Sequence, residues 1–384
     1  MERAESNRTN DHNGNGHSLL REVVADCKPR RRPRGHVVVI GGAGFVGSAL
    51  VPKLLAHDYR VTVLDAFLFG TESVVRSGRR RVSLLKGDLR SVEAVVRGCR
   101  NATAIVHLGG LVGDPACAHD TDLTLEINLK ASSMIAEVAR GLGVPRLVFA
   151  STCAVYGASD DQLDEDSPVA PVSVYARSKA ESEELLIAGT DDAFRPTALR
   201  FGTFHGISPR PRFDLVVNLL TAKAVRERRL TIFGGSQWRP FIHVDDGADA
   251  IISCLEAPEE VVGGQVFNVG SDGQNYTLAQ VAELIQMVVP ETEVIYEKAN
   301  SDEANYNVSF EKIRRELGFV PRRSLVEGIC QIKAAVESDE IGDYTEIRFN
   351  NHKHLASGNA VEALNRLASP VSTVLPSASA AGAS

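Results

Sequence analysis

The feature that most constrains this chain is a cluster of glycines set between a β-branched run and a helical one. Val37-Val38-Val39-Ile40 is a short, unbroken apolar run of the kind a buried parallel strand needs. Gly41-Gly42-Ala43-Gly44-Phe45-Val46-Gly47 follows directly, and from Gly44 to Ala56 the apolar residues recur at helical spacing. Arg60-Val61-Thr62-Val63-Leu64-Asp65 then forms a second strand and closes on an acid. Strand, glycine turn, helix and acid-ended strand make the opening of an α/β sheet.

The rest of the chain continues the alternation. Further strands are predicted at Val82–Lys86, Ala104–Leu108, Arg146–Ala150 and Thr197–Phe201, with helices over Asp122–Gly141 and Val174–Ala188. The expected fold is α/β: a Rossmann-like, doubly wound parallel sheet over residues 35–200. After Phe201 the pattern changes to loop, helix, short strand and helix. Residues 201–337 are therefore read as a smaller α/β substrate lobe over the sheet's carboxyl edge, with some chain crossing back to the sheet. Residues 1–34 are polar and end in a basic cluster; they are expected to be a disordered leader, because such a composition cannot offset its ordering entropy by burial. Residues 338–355 carry aromatic side chains and are expected to dock as an extension, and the Ala- and Ser-rich 356–384 to form a flexible tail.

Composition removes several classes of function. A net charge of -7 over 384 residues argues against general nucleic-acid binding. No apolar run approaches the roughly 18 residues of a membrane span. The six cysteines have neither CxxC nor metal-ligand spacing, so no metal site is expected and a reducing, cytoplasmic setting is.

The glycines fit two frames, Gly42-x-Gly44-x-x-Gly47 and Gly41-x-x-Gly44-x-x-Gly47. In either frame the backbone lets a dinucleotide's diphosphate approach a helix N-terminus, where unpaired N–H groups and the helix dipole attract it. Asp65 is positioned for the adenosine ribose hydroxyls, and its charge would repel a 2′-phosphate, which favours NAD over NADP. Arg76, Arg79, Arg80 and Arg81 are read as a solvated loop. Asp88 and Leu89, after the third strand, face the adenine edge, and Leu108 closes the fourth strand beneath the cofactor.

Tyr175 and Lys179 are four residues apart and share one helix face. A phenol titrates near 10 in water, about three units too high for a base at neutral pH. A neighbouring ammonium and a cationic nicotinamide both favour the phenolate. Thr152 ends the strand that carries Phe149, at the ligand-binding edge, where its hydroxyl can hold a substrate oxygen beside the phenol.

With these motifs in place, the chain resembles the extended short-chain dehydrogenase/reductase family, within it the nucleotide-sugar epimerases and dehydratases. The resemblance spans about His36 to Gln331. It includes Ser151-Thr152, Tyr156-Gly157, Tyr175 with Lys179, the run Arg239-Pro240-Phe241-Ile242-His243-Val244-Asp245-Asp246, and Phe267-Asn268-Val269-Gly270. It implies bound NAD at Gly41, Gly44, Phe45, Val46, Gly47, Asp65, Asp88, Leu89, Leu108, Tyr175 and Lys179. It implies catalysis by Thr152, Tyr175 and Lys179, and a homodimer built on the helices after strands four and five. A nucleotide sugar would be held by Thr152 and Arg239, with Thr203 as a further contact; Arg210 and Arg212, cations after the sixth strand, are second candidates for its diphosphate.

Two departures narrow the activity. The sugar 4,6-dehydratases of this family carry Asp-Glu after the catalytic threonine, and the glucuronate decarboxylases a Glu at the second position. Here Cys153 and Ala154 stand there. Relatives often carry Asn where this chain has Thr203. The expected activity is an NAD-dependent epimerisation of a nucleotide sugar at C4; a net NAD(P)-dependent keto-sugar reductase/dehydrogenase or a dehydratase on the same scaffold, and more remotely a non-catalytic dinucleotide sensor, are the alternatives.

Overall fold

The computed structural model describes residues 33–70, 82–298, 304–338 and 340–368. The predicted leader, apart from residues 33 and 34, lies outside them, as do the arginines at 76, 79, 80 and 81 and residues 369–384. Seven strands form one parallel sheet: β1 (His36–Ile40), β2 (Arg60–Asp65), β3 (Val82–Lys86), β4 (Ala104–His107), β5 (Arg146–Thr152), β6 (Arg195–Phe201) and β7 (Gln265–Val269). Their order across the sheet is β7-β6-β5-β4-β1-β2-β3, and every neighbouring pair is parallel. The chain reverses direction across the sheet between β1 and β4, so the glycine turn at the end of β1 opens at the switch point, where such folds bind ligands.

The β-branched run of β1 is buried on both faces. Val37 and Val39 pack with α1 (Phe45–Ala56) and with residues of the helix Val244–Glu256. Val38 and Ile40 pack the other way, with α2 (Val92–Cys99) and α3 (Ala131–Gly141). Next comes α4 (Val174–Ala188), capped by Ser173, whose side chain accepts the Ala176 N–H. An N-cap of this kind satisfies one of the orphan donors of the first turn and fixes where the helix starts. Tyr175 and Lys179 are thereby set in the first turns of α4.

A further apolar core lies apart from the sheet. Residues of α5 (Val216–Glu227), α6 (Leu278–Val288) and α7 (Leu325–Glu337) converge there, joined by Phe213, Tyr344 and Phe349. A capping box opens both α6, at Thr277 and Gln280, and α7, at Ser324 and Glu327.

One expectation gains a detail and another needs correcting. The stretch predicted as helix over Asp122–Gly141 is helical throughout and carries a π-turn at Glu126–Lys130. Asn128 in that turn holds the loop at Leu111 with its side chain, while its carbonyl accepts from Ser132 and Ser182 rather than serving the helix alone. The tail predicted from 356 is ordered through Ala368: α8 (Asn351–Ala356) is followed by α9 (Asn359–Ala368). Ala360 and Leu364, one helical turn apart, are buried. The Ala and Ser content of the whole stretch concealed that short apolar face.

Candidate active site

A cavity of about 240 Å³ runs along the carboxyl edge of the sheet and joins the glycine turn to Tyr175 and Lys179. Its walls include Gly41, Gly44, Phe45, Val46 and Gly47 at one end and Ser151, Tyr175 and Lys179 at the other. Asp65, Asp88, Leu89, Leu108, Arg210, Arg212, Asn351 and Leu364 also line it.

The turn leaves no room for side chains where the backbone is tightest. Gly41 has φ +80, and a Cβ there would lie 2.6 Å from the Gly109 nitrogen. At Gly47 a Cβ would lie 2.5 Å from Gly42 Cα, so the helix can seat against the turn only if that residue is glycine. Gly44, the N-cap of α1, contributes no side-chain hydrogen bond, and α1 has no acid in its first turn. A Cβ on Gly44 would meet only the Gly41 carbonyl within 4 Å, at 3.2 Å. The first-turn N–H groups thus face a cradle open to an anion, and a dinucleotide's diphosphate fits it.

Asp65 is fixed beside this cradle: its carboxylate accepts the Ala43 N–H at 2.9 Å and the Phe67 N–H at 2.7 Å. Burial raises its pKa, against the pull of those N–H groups and of Arg210. Each oxygen keeps a lone pair for a ribose hydroxyl. Asp88 is differently placed. It is buried and taken up by Arg90, which donates its backbone N–H and its guanidinium to the carboxylate. The adenine edge would therefore meet a neutralised pair.

At the other end, the Thr152 hydroxyl lies close enough to the Tyr175 phenol to favour its ionised form. Burial is the main cause raising the Tyr175 phenol; Cys117 and Asp114 add to it, and Arg212 and the Thr152 hydroxyl oppose it. Lys179 donates to the Ala150 carbonyl at 2.9 Å, and its ammonium lies 4.7 Å from the Phe149 ring centroid. Burial pushes its pKa down from 10.5 to about 8.

That shift has a sign that can be tested. In the cofactor-free protein the folded state holds the proton less tightly than the unfolded chain does. Below pH 8 both states carry the charge, and the fold bears its full desolvation cost; between 8 and 10.5 that cost is relieved. Lys179→Met should therefore stabilise the cofactor-free protein at pH 7, by at most about 3 kcal/mol because the bond to Ala150 is lost. Urea unfolding at pH 7 and pH 10 should find the gain shrinking as pH rises; a gain independent of pH would contradict the assignment.

Three predicted substrate contacts, Thr152, Arg239 and Thr203, are not among the residues that line this cavity. Arg239 donates to the Trp238 and Ala304 carbonyls at 2.9 and 2.7 Å, with its guanidinium 5.0 Å from the Tyr306 ring centroid, and so clamps backbone instead. Thr203 lies on the strand Thr203–His205, paired to Phe241–His243, while its neighbours Phe201 and Phe204 form cavity wall. Arg212 does reach the cavity, paired through two hydrogen bonds of 2.9 Å with Asp214. Cys153 is buried and donates to the Arg200 carbonyl, so its thiol is turned into the core, and burial raises its pKa. His205 stacks edge-on to His243 and stays neutral, pushed down to about 3 by burial.

The sequence reading missed Asn128. Its Oδ1 accepts the Leu111 N–H at 2.8 Å and its Nδ2 donates to Ser178 at 3.2 Å, joining the cavity's floor loop to α4. An asparagine inside an otherwise helical apolar pattern was its only sign. Asn351 and Leu364 were missed as well.

The sequence model of the NAD dependent epimerase/dehydratase family matches residues 37–270. A UDP-glucose 4-epimerase of Corynebacterium glutamicum is 30% identical over 324 residues, which span 78% of this chain and 96% of that one. The structure of MoeE5 in complex with UDP-glucuronic acid and NAD is similar with a TM-score of 0.70 at 28% identity, over 79% of this chain and 100% of that one. The structure of TunA, an NAD dependent NDP-hexosamine 5,6-dehydratase, has a TM-score of 0.71 at 26% identity, over 81% of this chain and 100% of that one.

Proposed function

This chain belongs to the NAD dependent epimerase/dehydratase family, and on that premise we propose that it is an NAD-dependent epimerase of a nucleotide-activated sugar, inverting C4. One observation carries the reading. Tyr175 and Lys179 share one cavity with the glycine-turn cradle, the Thr152 hydroxyl lies beside the Tyr175 phenol, and the two positions after Thr152 offer no acid. Elimination of water needs a proton donor for the leaving hydroxyl, and neither the buried Cys153 thiol nor Ala154 is one. The choice of C4 follows the name of the Corynebacterium relative.

In this reading NAD, when bound, takes the hydrogen of the sugar carbon as hydride and gives it back. The protein's share is the proton. Thr152 and Tyr175 hold the sugar hydroxyl, and the Tyr175 phenolate removes its proton as the carbon is oxidised to the ketone. Lys179 supports the phenolate and binds the nicotinamide ribose. The keto-sugar turns over in the pocket, and the proton returns from Tyr175 when the other face is reduced. Arg212, the cation whose field reaches Tyr175, is assigned to the sugar nucleotide's diphosphate, and Arg239 is left to hold backbone. The same reading has the enzyme act in the cytoplasm as a homodimer through α3 and α4.

Denaturing the freshly purified protein and identifying released dinucleotide by mass spectrometry tests the cofactor. Close to one NAD per chain is expected. NADP would contradict the role of Asp65, and an empty protein would favour a reductase that exchanges its cofactor each cycle.

A further inference from the structure

We infer that Arg210 binds the diphosphate of the dinucleotide, and that the C-terminal segment around Asn351 holds it in position to do so. This rests on the NAD reading above and adds to it a residue and a segment that the glycine turn and the Tyr–Lys pair do not involve.

Arg210 is 5% exposed and lines the same cavity as Gly44 and Asp65. Its backbone N–H donates to Ser48, in the first turn of α1, at 3.2 Å. Its guanidinium carbon sits 3.7 Å from the Phe69 ring centroid, and Nη2 donates to Asn351 Oδ1 at 2.6 Å. Nε is buried and has no hydrogen-bond partner among the described residues. The carboxylates whose fields reach this cation are engaged elsewhere. Asp214 is taken by Arg212 and by the Asn351 N–H, and Asp65 by the Ala43 and Phe67 N–H groups. A buried guanidinium with an idle donor is costly unless an anion completes it. Arg210 and the cradle at the N-terminus of α1 line one and the same cavity.

The C-terminal segment is fastened to both sides of this cation. The Phe213 N–H donates to the Phe349 carbonyl at 2.9 Å, and the His354 ring centroid lies 4.6 Å from that of Phe69. Leu355 and Leu364 are buried with Leu111, Leu123 and Ile127. The stretch from Tyr344 to Ala368 therefore roofs the dinucleotide end of the cavity and sets the angle of the Arg210 fork. A second diphosphate, that of the sugar nucleotide, shares this chemistry. The seat on Ser48 and the proximity to Asp65 assign Arg210 to the cofactor, and Arg212 is the cation near Tyr175.

The test is calorimetric titration of the full-length, nucleotide-stripped protein with NAD and, separately, with uridine diphosphate. Arg210→Gln should weaken NAD by about tenfold or more, the scale of a lost charge-assisted contact. Asn351→Asp is the sharper variant. Its oxygen still accepts from Arg210, so packing is kept, but its charge competes with the diphosphate, and NAD should weaken by a similar factor. It also decides the matter if Arg210→Gln does not fold, as judged by thermal unfolding. Uridine diphosphate should move less than about twofold in either variant, since its contact is assigned to Arg212. NAD affinity unchanged in Asn351→Asp, or a loss confined to uridine diphosphate, would overturn the inference and leave the epimerase reading standing. A wild-type protein that binds no NAD would overturn both.

Discussion

Tyr175→Phe is expected to lower turnover by about 10²–10⁴-fold, the range that a positioned acid–base group supplies. That corresponds to about 3–5 kcal/mol on the barrier. The variant removes one oxygen and keeps the ring, which packs beside Leu111, Cys117 and Ile127. Thr152 keeps its own bond, accepting the Ala154 N–H at 3.2 Å. The cradle at Gly44 and the carboxylate of Asp65 are untouched, so NAD should bind as in the wild type. Steady-state rates with a nucleotide sugar, alongside NAD titration, separate the two effects. Wild-type turnover in the variant would remove Tyr175 from the chemistry.

The second large effect is on stability. Arg200 on β6 and Glu183 on α4 form a buried pair, with Nε donating to both carboxylate oxygens at 3.0 and 3.1 Å and each side chain 7% exposed. Arg200 also donates to the Tyr156 hydroxyl at 2.8 Å, and that hydroxyl lies 2.9 Å from Asn268 Oδ1 on β7. The network ties the helix that carries Tyr175 and Lys179 to the far edge of the sheet. Glu183→Ala leaves the guanidinium buried without its counter-charge, at a cost of about 3–5 kcal/mol. Against a typical total of about 5–15 kcal/mol, that is a large fraction. The double variant Glu183→Leu with Arg200→Met should recover part of the loss, because it removes the stranded charge. Chemical denaturation measures both; a single variant costing under about 1 kcal/mol would show that the pair is solvated or replaceable.

What the sequence made legible is what backbone period and glycine geometry determine. The β-branched runs at 37–40 and 60–65 became β1 and β2, and Asp65 ends where the cofactor reading needs it. Tyr175 and Lys179 were visible because a spacing of four on a helix leaves little choice of face. Contacts that depend on distant segments were not visible. Arg239 carried a family expectation, yet its Nη1 donates to the carbonyls of both Trp238 and Ala304, and no local pattern announces that. Asn351 and Leu364 lie more than a hundred residues beyond the Tyr–Lys pair. Their place at the cavity goes with the burial of Tyr344 and Phe349, upstream in the same segment, in a core built by distant helices. The Ala360–Leu364 spacing was a readable helical signal, and the small-residue composition around it outweighed that signal.

The most direct test of the central claim uses a nucleotide sugar deuterated at C4, with UDP-glucose and UDP-galactose as the first pair. Proton NMR of the product reports where the label ends. Transient oxidation with return of the same hydride predicts the C4 epimer with deuterium retained at C4 and no reduced cofactor released. Deuterium in free reduced dinucleotide, or a 4,6-dehydrated product, would contradict it.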